Sequence, residues 1–197
     1  MTYAIPNKIY TLEEYLDLDF KTDAKYEFFD GELVEISGVV YNHSRIEMNV
    51  LSIFYEGLDK NLESWIGSMK LKVPALPPYR YPNFSISPKK GRFETIGQQQ
   101  CLVNPIVIGE IYSPSTKEYD CGMKFEAYKS IESFREYLLI DQEQKFVTLH
   151  TKYTGEIWFQ SEYFTGETLK LESVDCELSV DEIYQGIDFE VETQLSN

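Results

Sequence analysis

Apolar residues recur along this chain at two different spacings, which predict helices in some segments and strands in others. In residues 43–58 they return every three or four positions, which places them in one stripe along a helix. Thr11 and Glu14 form a capping box, in which each side chain pairs with a backbone N–H group at the start of a helix. We predict helices at residues 12–19, 43–58 and 118–130, with one closing helical turn at 181–184.

Short β-prone runs bounded by turn residues predict strands. Residues 26–29 and 33–36 flank Asp30-Gly31, a pair that suits the tight turn of an antiparallel hairpin. Residues 106–111 are a continuous apolar run around a single carboxylate, that of Glu110, which is the pattern of a strand buried on both faces. Further strands are predicted at 65–73, 84–86, 137–140, 146–150 and 157–160, with the last of these as antiparallel neighbours.

The composition predicts a folded chain with a single domain, residues 1–197. Its 43% hydrophobic and 15% aromatic residues exclude an acidic disordered tail, and a core at this length can bury roughly 70% of the unfolded surface. No stretch approaches the roughly 20 apolar residues of a membrane span, and residues 1–10 lack a signal-peptide pattern. We therefore expect a cytoplasmic protein with no membrane partner. Three widely spaced cysteines predict reduced thiols rather than disulfides or a zinc site.

The charge is strongly negative but unevenly distributed. The chain has 33 acidic and 18 basic side chains, a formal net charge of −15, which argues at first against a phosphate-rich partner. Residues 153–197 hold eleven acids and one base, whereas residues 64–93 hold six bases and no acid. That basic segment has two interpretations, a solvated run of loops and strand ends or a surface that faces phosphates. Any DNA binding should be weak, salt-sensitive and metal-dependent, on the face that bears residues 70–92 and Glu110.

Glu110 needs a compensating partner. Burying a carboxylate costs several kcal/mol unless it is paired with a cation. It could form a structural ion pair with a lysine or arginine, or it could bind a hard metal ion, which prefers oxygen ligands. The residue alone favours the ion pair, since structural pairs are the commoner cause of such burial.

Several segments resemble one protein family in their order and spacing. They are Tyr26-Glu27-Phe-Phe-Asp30-Gly31-Glu32-Leu, His43, Tyr81-Pro82-Asn83, Glu110-Ile-Tyr-Ser113-Pro-Ser115-Thr116, Asp120 and the segment from Lys124 through Tyr128. Together they resemble the Uma2 family (DUF820), a branch of the PD-(D/E)XK nuclease superfamily, over residues 10–186, and residues 187–197 are expected to form a frayed tail. The resemblance implies a restriction-endonuclease-like α/β (α+β) fold, with a mixed central β-sheet flanked by helices and an additional antiparallel C-terminal hairpin.

The resemblance also implies a metal site. The two acidic metal positions of the family map to Asn83 and Glu110, with Glu27 as the third carboxylate and the backbone carbonyl of Ile111 as a further ligand. Such a site would hold Mg²⁺ or Mn²⁺, which activates a water molecule and neutralises charge on the phosphate.

The superfamily's catalytic lysine follows the second acid by two residues, but Tyr112 occupies that position here. Family members place a lysine on the next helix, where Lys124 stands with Tyr128 on the same helical face. The alternatives for Lys124 are a surface lysine or the ion-pair partner of Glu110. His43 matches a family histidine that could contact the scissile phosphate or hold Glu27, or it could serve helix capping and packing alone.

Asparagine at position 83, in place of the family's aspartate, leaves two functions open. The first is a Mg²⁺-dependent endonuclease that hydrolyses DNA phosphodiester bonds and is impaired because Asn83 is neutral. The second is a catalytically inactive nuclease-fold module that binds nucleic acid or protein. A third, an oligomer-forming structural protein, is weaker, although restriction-type folds commonly form homodimers and a homodimer is expected. The fold supports all three, so the site must decide among them.

Overall fold

The structure is a computed structural model, and it describes residues 8–21, 26–29, 31–35, 40–67, 69–75, 79–96 and 99–189. Within these ranges, the side chains of residues 16, 19–21, 27, 29, 34, 35, 96 and 99 are not described. Asp30 of the predicted turn and residues 190–197 of the predicted tail lie outside the described residues.

The predicted helices are present, with shifted boundaries. They are α1 (Leu12–Lys21), α2 (Tyr41–Gly57), α3 (Lys117–Tyr119), α4 (Phe125–Tyr128) and α5 (Val180–Ile183). Thr11 and Glu14 form the predicted capping box, with the Thr11 Oγ1 atom 3.1 Å from the Glu14 backbone nitrogen. A π-helical turn, Asp120–Lys124, joins α3 to α4, so the helix predicted at 118–130 is interrupted. In the described part of the chain, no helix combines the length and the hydropathy that crossing a membrane requires.

The strands form two larger sheets and two hairpins. Their bounds are β1 (Tyr26–Phe29), β2 (Glu32–Glu35), β3 (Leu62–Ile66), β4 (Lys70–Lys72), β5 (Tyr79–Arg80), β6 (Phe84–Pro88), β7 (Phe93–Ile96), β8 (Gln99–Leu102), β9 (Val107–Tyr112), β10 (Glu136–Asp141), β11 (Phe146–Thr154), β12 (Ile157–Phe164), β13 (Thr168–Leu171) and β14 (Cys176–Ser179). The central sheet has the order β12-β11-β10-β9-β6-β3, and its β9 and β10 strands are parallel. The second sheet has the order β5-β4-β8-β7. Hairpins β1-β2 and β13-β14 complete the mixed α+β architecture, and the latter is the predicted C-terminal hairpin.

One strand prediction was wrong. Residues 65–73 were expected to form one strand, but they divide between β3 of the central sheet and β4 of the second sheet. The chain turns between them, and the Met69 N–H donates to the Ile66 carbonyl at 3.0 Å. The apolar pattern continues through this turn because β3 has half-buried side chains and β4 has buried ones, so the pattern alone does not show the boundary.

The central sheet carries a hydrophobic layer on each face. On one face, α2 packs Ile46, Val50 and Phe54 against β6 and β9, and on the other face α4 packs its aromatic residues. A Cβ atom at Gly109 would lie 2.0 Å from the ring of Phe84, so glycine is required where β9 passes that ring. This packing fixes β9 beside β6 and places Glu110 next to the start of β6.

Candidate functional site

The carboxylate of Glu110 is buried in β9 and receives hydrogen bonds from separate parts of the chain. Its Oε1 atom lies 3.0 Å from the Lys124 Nζ atom, and the Tyr128 hydroxyl donates to the same oxygen at 3.0 Å. Its Oε2 atom accepts the backbone N–H of Asn83 at 3.3 Å. The buried charge is therefore paired and hydrogen-bonded, as a buried carboxylate requires.

The ammonium group of Lys124 lies among three oxygen atoms. In addition to Glu110, it approaches the Asp120 Oδ1 atom at 3.5 Å and donates to the Tyr81 carbonyl at 3.2 Å. Asp120 and Lys124 are the first and last residues of the π-helical turn, a feature that is frequent at functional sites. We call Glu110, Asp120, Lys124 and Tyr128 the carboxylate–lysine cluster.

Asn83 connects this cluster to α2. Its Oδ1 atom accepts the backbone N–H of Ile111 at 2.8 Å, and its Nδ2 atom lies 3.0 Å from the His43 Nε2 atom. Burial lowers the pKa of His43 to about 4, so the imidazole is neutral at pH 7. A neutral ring accepts the Asn83 amide hydrogen at Nε2, and this orients the amide oxygen toward β9.

The oxygen donors near Asn83 fit a divalent cation in type but supply little charge. The Glu110 carboxylate, the Asn83 amide oxygen and the Ile111 carbonyl are the hard ligands that Mg²⁺ prefers. Among the described residues, no group of three His, Cys, Asp or Glu side chains is placed to hold a metal ion. The side chain of Glu27 lies outside the described part of the chain, although its backbone pairs with Val34 in the β1-β2 hairpin. The donor set therefore fits a weakly held Mg²⁺ or Mn²⁺, which Glu27 would have to strengthen.

Three of the residues selected from the sequence contact a fourth, Glu110. Asn83, Glu110, Lys124 and Tyr128 form a connected set of polar contacts. The ion pair considered for Glu110 is formed, with Lys124 as its partner. His43 contacts Asn83 rather than capping its helix, since α2 begins after Val40.

Asp120 belongs to the cluster, although sequence reasoning gave it no role. Its spacing of four residues from Lys124 was the available signal, because such pairs share one helical face. The Tyr137 hydroxyl donates to the Asp120 carbonyl at 2.9 Å and fixes this part of the helix. Tyr112 forms a hydrogen bond with Asp141, and burial raises the pKa of the Tyr112 hydroxyl.

The basic segment 64–93 does not form one continuous surface. Lys70 and Arg80 are buried, and Lys72 pairs with Glu94. The ammonium of Lys70 lies over three aromatic rings, those of Tyr15, Tyr79 and Tyr81. The exposed bases of the segment follow the end of β6, and they are Lys89, Lys90 and Arg92. A phosphate-facing surface in this segment would therefore be limited to this loop. Tyr79 and Tyr81 instead contact the buried Lys70 ammonium.

Comparison with known proteins identifies the family of this chain. The sequence model of Uma2, described as "Putative restriction endonuclease", matches residues 12–181. The chain belongs to the Uma2 family. Two relatives from Synechocystis sp. (strain ATCC 27184 / PCC 6803 / Kazusa), named uncharacterized proteins sll1609 and slr1290, are each 31% identical to it. The sll1609 match covers 87% of this chain and 97% of that relative, and the slr1290 match covers 90% and 92%.

A solved structure supports the fold of this Uma2 chain. The crystal structure of a putative nuclease belonging to DUF820, from Anabaena variabilis ATCC 29413, matches with a TM-score of 0.69 and 15% sequence identity. The match covers 91% of this chain and 98% of that chain. At this identity the likeness establishes the fold, and the chemistry has to be argued from the site.

Proposed function

We propose that this Uma2 chain is a metal-dependent endonuclease that hydrolyses DNA phosphodiester bonds, with activity impaired by the neutral side chain of Asn83. The observation that carries the proposal is that Glu110 contacts both the Asn83 backbone N–H and the Lys124 ammonium, at the junction of β6, β9 and the π-helical turn. These are the positions at which the family resemblance places two metal ligands and the catalytic ammonium. The family's description, "Putative restriction endonuclease", supports the same reaction class.

In this proposal each side chain has a defined task. Glu110 and Asn83 would hold Mg²⁺ or Mn²⁺ with Glu27 and the Ile111 carbonyl, and the bound ion would lower the pKa of a water molecule and offset charge on the phosphate. The Lys124 ammonium would stabilise negative charge at the phosphate. Asp120 contacts Lys124 itself, and Tyr128 contacts its partner Glu110, so these two residues would set the position of the Lys124 ammonium.

Asparagine at position 83 explains why the activity should be low. A carboxylate beside a divalent cation gains roughly 4 kcal/mol per charge pair at about 4 Å and an effective dielectric of about 20. An amide oxygen can still coordinate the ion but supplies none of that charge attraction. The Asn83 Oδ1 atom also accepts the Ile111 N–H, which uses part of its acceptor capacity.

The proposed partners are DNA and a second copy of the chain. With a formal net charge of −15, DNA binding should be weak, salt-sensitive and dependent on the metal ion. The exposed bases at the end of β6 are the candidate phosphate contacts. A homodimer would present two sites to the two strands of a duplex.

A second candidate function rests on a different observation. Lys124 already pairs with Glu110 and Asp120, so each of these buried carboxylates has a cationic partner without any metal ion. In that case the chain is an inactive nuclease-fold module that binds nucleic acid or protein. The two candidates differ in whether charge restored at position 83 produces hydrolysis.

The test is a plasmid-nicking assay with Mg²⁺ or Mn²⁺. We expect slow nicking by the wild type, at least about tenfold faster nicking by Asn83→Asp, and loss of nicking in Asn83→Asp/Glu110→Gln. Gln100→Glu, on an exposed position of β8, adds the same charge away from the site and should leave the rate unchanged. If neither the wild type nor Asn83→Asp nicks DNA, and calorimetry detects no Mn²⁺ binding to either, the endonuclease proposal is wrong.

A further inference from the structure

Helix α2 has a second apolar face in addition to the one that packs in the core. Ile46, Val50 and Phe54 are buried against the central sheet. On the outer side, Tyr41, Met48 and Tyr55 are exposed by 70%, 62% and 91%. Large apolar side chains that cluster on one exposed helix face commonly mark an interaction surface.

The residue types on this outer face are arranged symmetrically in sequence about Met48. Tyr41 and Tyr55 lie seven positions before and after it, and Ser44 and Ser52 lie four positions before and after it. At about 100° per residue these five side chains fall within a stripe about 80° wide. We call Tyr41, Ser44, Met48, Ser52 and Tyr55 the outer stripe of α2.

We infer that the outer stripe is the interface of a homodimer, in which α2 packs antiparallel against α2 of a second copy around a two-fold axis at Met48. An isologous interface requires a surface that complements itself, and a palindromic stripe meets this requirement. Tyr41 of one copy would meet Tyr55 of the other, and Ser44 would meet Ser52. The small serines would let the two helices approach to about 8–10 Å between their axes.

The available area is sufficient for a specific though modest interface. A tyrosine buries about 150–250 Å², so the two tyrosines of one copy, with Met48 and the exposed Val40, offer on the order of 500–600 Å². The pair of copies would bury about 1,000–1,200 Å², at the lower end of specific interfaces. A weak dimer that forms as the concentration rises is therefore expected.

The charges beside the stripe are compatible with the same axis. Reflection through Met48 places Arg45 opposite Leu51, and it places Glu56 opposite Val40. The pairing thus brings no two like charges of α2 face to face, which matters in a chain with a net charge of −15. This self-complementarity favours a second copy over DNA or an unrelated protein as the occupant.

Sedimentation velocity of the full chain, from about 1 to about 200 μM, tests the interface. The wild type should pass from monomer to dimer. Met48→Arg should weaken dimerisation about 100-fold or more, because two arginines would meet at the axis. Met48→Glu should do the same, and an equimolar mixture of the two variants should form a dimer again, since arginine would then face glutamate. Ile157→Arg, at a 53% exposed position on β12, should dimerise like the wild type.

Several results would overturn this assignment. A wild type that stays monomeric at the highest concentration would do so, as would a Met48→Arg variant that still dimerises. A mixture of the arginine and glutamate variants that stays monomeric would also contradict a two-fold axis at Met48. If the wild type is monomeric but Met48→Arg alters DNA affinity, the outer stripe faces nucleic acid instead. Circular dichroism of each variant separates these outcomes from misfolding, which is not expected at an exposed position. The nicking assay is independent of all of them.

Discussion

Two lysine–glutamate pairs of this protein have the same chemistry but different surroundings. Lys124 and Glu110 meet inside the central sheet, with 3.0 Å between Nζ and Oε1, and both side chains are buried. Lys72 of β4 and Glu94 of β7 meet on the second sheet, where the two side chains are 36% and 51% exposed. The buried pair has further polar contacts from Asp120, Tyr128, Asn83 and the Tyr81 carbonyl.

The difference between the pairs lies in what happens when one partner is removed. Water replaces a lost partner at the surface, so an exposed pair contributes little to stability. In the interior, the remaining charge has no water and must be stabilised by the protein. The buried pair therefore requires all of its members, which is the condition for a site whose groups keep fixed positions.

The largest expected effect comes from removing the buried ammonium. Lys124→Met should lower the free energy of unfolding by about 3–5 kcal/mol, because it leaves the carboxylates of Glu110 and Asp120 together in the interior. Lys72→Met should lower it by less than about 1 kcal/mol. Urea denaturation of both variants measures the two values. Equal losses would show that the buried and the exposed pair contribute equally to the free energy of unfolding, which contradicts the difference argued above. In about 1 M NaCl the small contribution of Lys72 should shrink further, whereas that of Lys124 should persist.

A smaller effect is expected from the imidazole that holds Asn83. Burial lowers the pKa of His43 from 6.5 to about 4, so the unfolded chain binds a proton between these values and the folded chain does not. The contribution of neutral His43 to the free energy of unfolding is therefore complete above about pH 6.5. It decreases by up to about 3 kcal/mol as the pH falls toward 4. Urea denaturation across this pH range should show the decrease, and His43→Gln should flatten it.

His150 is a second histidine that contributes to this pH dependence. Burial, and then the nearby Lys129, lower the pKa of His150 as well, so His150→Asn should remove a separate part of the same decrease. If His43→Gln has the same pH dependence of the free energy of unfolding as the wild type, His43 is not a neutral buried acceptor for Asn83.

The smallest expected effect concerns the hydroxyl that donates to Glu110. Tyr128→Phe removes a hydrogen bond to a charged group but leaves the Lys124 ion pair in place. We expect a loss of about 2 kcal/mol in the free energy of unfolding. Tyr153→Phe, at an exposed position of β11, should change it by less than about 0.5 kcal/mol. If the two variants behave alike, the contact of Tyr128 with Glu110 contributes nothing measurable.

Much of the fold follows from local sequence. The run around Glu110 predicts a strand buried on both faces, and all six residues of β9 are buried. The stripe in residues 43–58 predicts α2, and the Thr11 capping box predicts the start of α1. These elements are predictable because each is determined by side-chain spacing or by contacts within a few residues.

Other features depend on distant pairing and were not predictable in this way. The division of residues 65–73 between two sheets follows from which partner strands β3 and β4 find. The polar strands β7 and β8 have no strong apolar alternation, and their ladder joins them to β4. The π-helical turn that sets Asp120 and Lys124 around Glu110 also has no signal in spacing.

The groups that could act in a site are recognisable from the sequence of this protein. It contains a carboxylate in an apolar strand, an asparagine at position 83 and a lysine on the following helix, and its motifs resemble those of its family. The folded arrangement, and not local sequence, sets which lysine meets Glu110 and which bases of residues 64–93 reach solvent. The physical reason is that burial and ion pairing depend on residues far apart in the chain, such as Lys124 and Tyr81, which packing of the sheets and helices brings together.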